Sequence, residues 1–503
     1  MKLRLEDYFY LLLSAALLEL SFAPFNQYYT AFFALIPLLR VLDLRRKGFL
    51  TGWIWGFFYS LFSIHWLAFN SGTYWWLATL SMLMASFFLA LNYGLIGWFY
   101  VLIRRRNLRF AWVFFPFIWI AVEFLRSFGT LGFPWLALGH SQAYHTVFVQ
   151  NADIGGVYYV SFLLILANLF LYRLIFIRDK RMFAALIAVI LIPYAYGVIT
   201  LNTPMQEVRR TRFRIVQPNV AAKEKWKPEN RIPIIEMMDS LSRAESETSP
   251  EVIVWPETAV PYYLRSSPYF MHIIHRTAAD MQATLITGAL DYYYPDSASY
   301  RYESTNTLFI FEPFNRSVNA AVYDKIHLVP FGEYTPGGSF LSFMNNMQYG
   351  QSDFQCRNYR DVLYMSKDSV ALTPMICYDS VFPHTARRFT AQGSKYIILI
   401  TNDIWFGSSL GPHQHAAMAI LRSVECRRPL IRSANAGISM FIDEKGRVLK
   451  FLPLYRRGIL DQELPAVSYR SPYLIFGNAF SVLACILAFP VPVLLLCLKR
   501  KKY

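Results

Sequence analysis

Ser369-Val370-Ala371-Leu372-Thr373-Pro374-Met375-Ile376-Cys377-Tyr378-Asp379 is the stretch whose reading decides the fold. Its short, mostly apolar run up to Ile376 predicts a buried strand. Ser380 to Phe389 predicts a helix with Ser380 as its cap. Cys377 then falls where a strand ends and a helix begins. A helix N-terminus favours negative charge and lowers the pKa of a thiol, so the spot suits a nucleophile. A free cysteine is also a common core residue, and this stretch alone leaves both readings open.

Working outward, residues 201–472 read as a soluble domain. Strands are predicted at Arg212–Pro218, Glu251–Trp255, Thr284–Leu290, Lys395–Thr401, Pro429–Ser433 and Ser439–Ile442. Ser304–Phe311 and Val318–Tyr323 predict a hairpin. Helices are predicted over Glu229–Glu247 and Gln414–Cys426, with another ending at Ala278–Gln282. Strands alternating with helices predict an α/β domain, whose chemistry sits at strand ends. Three ends stand out: Glu257 in VWPET, Lys325 in YDKIHLVPFGEY and Cys377 in MICYD. A carboxylate, an ammonium and a thiol make a complete set for acyl transfer. The carboxylate takes the thiol proton, the ammonium steadies the oxyanion, and sulfur carries the acyl group. No histidine lies beside Cys377 in sequence, and His327 is read as structural.

The rest of the chain is far more apolar. Of 503 residues, 55% are hydrophobic and 17% aromatic, and these concentrate at 8–200 and 474–497. Spans of about 20 residues are expected near 8–24, 28–44, 49–69, 74–103, 110–127, 157–177, 182–200 and 474–497. Basic residues at Lys2 and Arg4 and in Arg45–Lys47, Arg104–Arg109, Arg178–Arg181 and Lys499–Lys502 fall on one side if the N-terminus is cytoplasmic, whereas Arg209, Arg210, Arg212 and Arg214 fall on the other and read as an alternating strand opening the soluble domain. This arrangement places the soluble domain outside. The net charge of +16 therefore belongs to membrane flanks, and no nucleic-acid partner is expected. The chain divides into residues 1–200 (seven spans), 201–472 (catalytic domain) and 473–503 (last span and basic tail). Glu123 and Arg126, three apart on a helix, are expected to pair. Phe133, Trp135 and Leu136 suit a lipid-touching patch. A Cys356–Cys426 disulfide is open, with at least one soluble-domain thiol left free.

The motifs VWPET, DKIHLVPFGEY and PMICYD resemble those of the nitrilase superfamily, and NDIWFG with HQHAAMAILRSVECRRPLIRSANAG resembles its downstream segment. With the spans and GFPWLALGHSQ added, the chain resembles the apolipoprotein N-acyltransferase family over nearly its whole length. The resemblance implies an αββα sandwich joined to a transmembrane bundle of about eight spans. It implies an enzyme that moves an acyl chain from a membrane phospholipid to the N-terminal amine of a diacylated apolipoprotein through a cysteine thioester. Glu257 resembles its general base, Lys325 its lysine and Cys377 its nucleophile. Glu333 resembles a second glutamate, Trp226 a tryptophan at the substrate mouth, and Tyr378 the residue after the nucleophile. Asp379 stands where the family often has glutamate. No cofactor or metal is implied. The expected setting is a bacterial inner membrane with the domain on the periplasmic side, and the expected state is a monomer. A membrane-tethered amidase hydrolysing a small substrate is the alternative. Thr335–Ser352, rich in Gly, Phe and Met, is expected to form a mobile arm over the site.

Overall fold

The computed structural model describes residues 3–246, 248–295, 301–314, 321–334, 353–357, 363–365 and 370–490. The arm expected at 335–352 lies outside them. Two compact units result. One takes Met1–Phe69, Trp75–Pro204 and Ile475–Tyr503, and the other takes Asn70–Tyr74 and Met205–Leu474.

The first unit, strand-free among the described residues, holds α1 (Leu5–Glu19), α2 (Ile36–Leu44), α3 (Gly48–Ile64), α4 (Trp75–Arg104), α5 (Leu108–Leu125), α6 (Ala152–Tyr172) and α7 (Arg181–Asn202), and a further ten-residue helix, Ala479–Ala488, near their end. Four helical stretches are long and apolar enough to cross a membrane: Trp75–Arg104, Leu108–Leu125, Phe148–Ile177 and Arg181–Asn202. The other expected spans differ. Residues 8–24 carry the 15-residue α1, and 49–69 carry the 17-residue α3 followed by a 3-10 turn. Residues 28–44 hold a 3-10 turn, and α2 starts only where Pro37 enters its first turn. Apolar composition reaches 28–35, but the backbone leaves the helix there. The last apolar run is described only through residue 490.

Close approach of α3 and α4 depends on Gly48, Gly52 and Gly56, spaced four apart. A Cβ on any of them would strike Gly97, Tyr93 or Val101, as in small-residue helix packing within bilayers. Leu191, Ile192 and Ile199 of α7 are 60%, 68% and 65% exposed, an apolar face that suits lipid. Trp135 and Leu136 are buried instead of forming a lipid-touching patch, with Trp135 packed on Trp66 at 4.8 Å. Glu123 and Arg126 do not pair. Glu123 accepts hydrogen bonds from Trp119 Nε1 (2.9 Å) and the Leu138 N–H (3.0 Å). Arg126 donates to the Tyr93 hydroxyl (2.9 Å).

The second unit holds thirteen strands among the described residues. The first six are β1 (Glu207–Gln217), β2 (Val252–Val254), β3 (Val260–Tyr263), β4 (Thr284–Tyr293), β5 (Glu303–Phe311) and β6 (Ala321–Asp324). The other seven are β7 (Leu363–Met365), β8 (Val370–Ile376), β9 (Tyr396–Thr401), β10 (Leu430–Ala434), β11 (Ser439–Ile442), β12 (Val448–Leu452) and β13 (Gly458–Val467). One sheet runs β13-β1-β2-β4-β5-β6 with β3 on β4, and the other runs β12-β11-β10-β9-β8-β7. Phe213, Ile215, Val254, Leu308 and Ile310 of the first sheet pack against Leu372, Ile376, Ile398, Ile400 and Ile431 of the second. Alternate residues such as Ile253, Leu285 and Phe309 face α9 (Arg231–Ser242) and α10 (Pro268–Met281) on the outside. On the second sheet, α11 (Pro383–Thr390) packs on β8 and α12 (Leu410–Cys426) on β10. The result is an αββα sandwich.

Cys356 and Cys426 are not joined, so the disulfide left open by the sequence does not form. The arginine-rich opening is an alternating strand in which Arg214 pairs with Asp461 of β13 (2.8 Å) and Arg209 with Glu251 (2.8 Å).

Candidate active site

Strand direction brings the candidate residues together. β4 is parallel to β2, β5 is antiparallel to β4, and β6 is antiparallel to β5. β2 and β6 therefore end on the same edge, and the residues just past them, Glu257 and Lys325, meet there. Glu257 sits in a tight turn whose next residue, Thr258, has φ +46°. The turn lies so close to β4 that a Cβ at Gly288 would come within 2.6 Å of the Thr258 nitrogen.

The Lys325 ammonium is 3.3 Å from Glu257 Oε1 and 2.8 Å from Glu333 Oε1. All three residues are buried. Asn306 Nδ2 donates to the same two carboxylates, at 2.7 Å to Glu257 and 3.2 Å to Glu333. The Val329 N–H holds the other Glu333 oxygen (2.9 Å). Burial opposes the charge on Lys325, but Glu257 and Glu333 outweigh it and hold the ammonium well above its ordinary value. Asp324, one residue earlier, is clamped by Arg357 (2.5 Å) and by the Thr307 hydroxyl (2.6 Å).

Cys377 follows β8 with φ +47°, a backbone conformation that L-residues adopt rarely. It opens a 3-10 turn, Cys377–Val381, and α11 begins only at Pro383. The expected helix cap at Ser380 is therefore not formed. Ser380 Oγ instead donates to the Cys377 carbonyl (2.8 Å). The expected lowering of the thiol pKa is reversed as well. Burial pushes the Cys377 thiol up, and Glu257 and Asp403 push the same way. Lys325 and a hydrogen bond from Thr401 pull it back without compensating. A thiol raised in this way would need a base to act as a nucleophile.

Asp379 is completely buried and ties the Cys377 turn to the Lys325 loop. Its carboxylate accepts from the Ile376 N–H (3.1 Å), the His327 N–H (2.8 Å) and the Tyr323 hydroxyl (2.9 Å). Burial raises its pKa to about 6 against these bonds. His327 stacks on Phe382 at 3.8 Å, in keeping with a structural role.

A histidine far away in sequence also arrives. Cys377 Sγ, an Asp403 carboxylate oxygen and a His415 ring nitrogen lie within 4.8 Å of one another. His415 Nδ1 meets Asp403 (2.7 Å), and Nε2 meets Ser380 Oγ (2.8 Å) and the Cys377 carbonyl (3.1 Å). Both ring nitrogens have partners, and through Nε2 His415 braces the Cys377 carbonyl and Ser380. The trio does not fit a metal either. Arg432 donates to Asp403 (2.7 Å) and lies 3.2 Å from His415 Nδ1, placing a cation beside the ligand atoms.

Two family profiles match the chain, one described as "Apolipoprotein N-acyltransferase N-terminal domain" over residues 14–170 and one as "Carbon-nitrogen hydrolase" over 213–471. The apolipoprotein N-acyltransferase of Geobacter metallireducens is 32% identical, covering 95% of this chain and 92% of that protein. That of Chlorobaculum tepidum is 30% identical, covering 92% of this chain and 91% of that one. The chain belongs to the apolipoprotein N-acyltransferase family. Among solved structures, an amidase from Nesterenkonia sp. is 17% identical, covering 55% of this chain and 96% of its own, with a TM-score of 0.36.

Of the remaining residues singled out by the N-acyltransferase family resemblance, Tyr378 is buried with its ring against Phe382 (5.2 Å). Trp226 is half-buried just past the short helix α8 (Ala222–Lys225), and its indole N–H has no hydrogen-bond partner among the described residues. Trp226 itself does not bond to the Glu257–Lys325–Glu333 cluster. Its neighbour Lys225 reaches the Glu257 turn. The sequence reading passed over Lys225, Asn306, Thr401, Asp403 and His415. Asp403 and His415 lie within quoted motifs, but nothing local says that they turn toward Cys377.

Proposed function

We propose that this family member transfers an acyl chain from a membrane phospholipid to the N-terminal amine of a diacylglyceryl-cysteine on apolipoproteins. The observation that carries the reading is the buried ammonium of Lys325 between Glu257 and Glu333, with the fields of Glu257 and Lys325 both acting on the Cys377 thiol. Glu257 takes the thiol proton as sulfur attacks the ester carbonyl. Lys325 balances the oxyanion that forms. The carbon–oxygen bond breaks, Glu257 returns its proton to the leaving glycerol oxygen, and a lysophospholipid departs from the thioester. The acceptor amine then attacks the thioester carbonyl, Glu257 takes a proton from nitrogen, the carbon–sulfur bond breaks as the amide forms, and Glu257 returns that proton to the Cys377 sulfur. Glu333 holds Lys325 in place throughout.

The apolar helices give this chemistry its lipid setting. Each acyl CH₂ kept out of water is worth about 0.8 kcal/mol, so a site served from the bilayer avoids extracting the chain. In the proposed topology the chain crosses a bacterial inner membrane about eight times. The domain at 201–472 is periplasmic, the last crossing follows it, and the protein works as a monomer without metal or cofactor.

The test is intact-mass analysis of the full chain mixed with phospholipid. One acyl group on Cys377, absent in Cys377→Ala and Glu257→Gln, is the expected result. A wild-type protein that stays unmodified by phospholipid but hydrolyses small amides would favour the amidase alternative.

A further inference from the structure

Lys225 is a buried lysine that the reaction steps above leave unused. It ends α8, immediately before Trp226, and is 2% exposed. Its ammonium donates to the Glu257 carbonyl oxygen (3.0 Å) and to Thr258 Oγ1 (2.6 Å). The ammonium also lies 6.0 Å from the centre of the Trp226 ring. Both acceptors belong to the turn that carries the general base, and Thr258 there holds a left-handed φ of +46°. Gly288 admits that turn against β4 from one side. Lys225 ties it from another.

Charge also enters. Glu257 and Glu333 bring two negative charges, and Lys325 brings one positive charge. The surplus negative charge opposes ionisation of the thiol. Among the described residues, Glu257 is the charged group whose field reaches Lys225. On its own segment, Glu224 and Lys227 are exposed and pair with each other (2.8 Å).

Resting on the acyl-transfer reading, we propose that Lys225 is a positioning residue for that reaction: its buried ammonium fastens the Trp226 segment to the Glu257–Thr258 turn and balances the charge around the general base. Burial pulls the ammonium down to about 7, with Glu257 holding it up. Above that pH a neutral amine still has the N–H groups to hold both acceptors. The tether then survives while the balancing charge is lost. Deprotonation makes the site more negative and the thiol harder to ionise, so acylation slows as pH rises through about 7.

The experiment uses the full chain in mixed micelles of phosphatidylethanolamine and phosphatidylglycerol. It follows acyl loading of Cys377 by intact mass between pH 6 and 8, together with the unfolding midpoint. Wild type is expected to load more slowly above about pH 7. Lys225→Met is expected to load about 10-fold slower or worse, from loss of a tether that places the base, with an undiminished midpoint and a rate that no longer falls over this range. Lys225→Arg, which keeps the charge, recovers part of the rate. Thr258→Val, which removes one acceptor but not the charge, slows loading while keeping the wild-type pH profile. Lys225→Met loading like wild type at every pH would overturn the inference, as would slowing only in proportion to lost folded protein. If wild type itself takes no acyl group, the acyl-transfer reading fails and Lys225 falls with it.

Discussion

Replacing Asp379 separates a tether from a catalyst. The carboxylate accepts three hydrogen bonds in a fully buried site, two of them from backbone N–H groups. Asp379→Ala leaves the Ile376 N–H, the His327 N–H and the Tyr323 hydroxyl without an acceptor. Each such loss costs about 1–3 kcal/mol, and relaxation keeps the total near 3–6 kcal/mol. Asp379→Asn keeps the shape but turns an NH₂ toward one of those donors, costing about 1–3 kcal/mol. Asp379→Glu adds a methylene where there is no room, again about 1–3 kcal/mol. One donor precedes Cys377 and another lies two residues past Lys325, so slack here separates sulfur from ammonium. Misplacement by about 1 Å lowers rates on the order of 100-fold. Thermal unfolding of the full chain and the rate of Cys377 acylation measure the two effects. An Asp379→Asn protein that melts and acylates like wild type would refute the argument.

Lys325→Met is expected to cost about 3–5 kcal/mol, because two buried carboxylates then face each other without their cation. Adding Glu333→Gln should recover part of that stability but no acylation, as read by chemical denaturation and mass analysis. Cys377→Gly should be inactive yet ~1 kcal/mol more stable than Cys377→Ala, since φ +47° suits glycine. Burial lowers the His327 imidazole to about 3 and that of His384 to about 4. Below about pH 6.5 the unfolded chain gains protons at both rings and the folded one does not, so stability falls with pH by about 1.4 kcal/mol per unit for each ring. Asp379, raised to about 6, takes a proton in the folded state first and offsets part of this loss below pH 6. His327→Phe, which keeps the stack on Phe382, should remove that ring's share, about 1.4 kcal/mol per pH unit, from the slope between pH 6.5 and 5 in unfolding curves.

Strands in the middle of the sandwich were legible because they are buried on both faces, and continuous apolar runs such as Tyr396–Thr401 announce that. The edges were not. Val448–Leu452 is mostly exposed, and Gly458–Val467 carries Asp461, Gln462 and Glu463. Their place depends on partners elsewhere in the chain, above all the ladder that joins Ile215 to Leu460 and Phe213 to Gln462. The bundle shows the reverse difficulty. Hydropathy marks 28–44 as apolar throughout, but it does not report where the backbone stops being helical. The glycines that let α3 meet α4 are spaced by helix geometry, a signal separate from hydropathy.

Glu257, Lys325 and Cys377 stand out in the sequence because each follows a strand and carries a reactive group, and Glu257 and Lys325 do meet in the fold. The groups that hold them do not stand out, because their roles depend on direction and not on type. Asn306 shows why. Its one NH₂ bridges Glu257 and Glu333, which lets two carboxylates share a single ammonium without being driven apart. An asparagine in the middle of a β-strand carries no mark of that duty. The same holds for His415, whose usual part beside a cysteine is a base. Here Asp403 occupies one ring nitrogen and the Cys377 carbonyl and Ser380 occupy the other. With both histidine nitrogens partnered and the thiol pushed up by burial, the proposed acyl transfer assigns the proton to Glu257. In that assignment Lys325 divides its ammonium between Glu257 at 3.3 Å and Glu333 at 2.8 Å, and Glu333 takes the shorter of the two charge-assisted bonds.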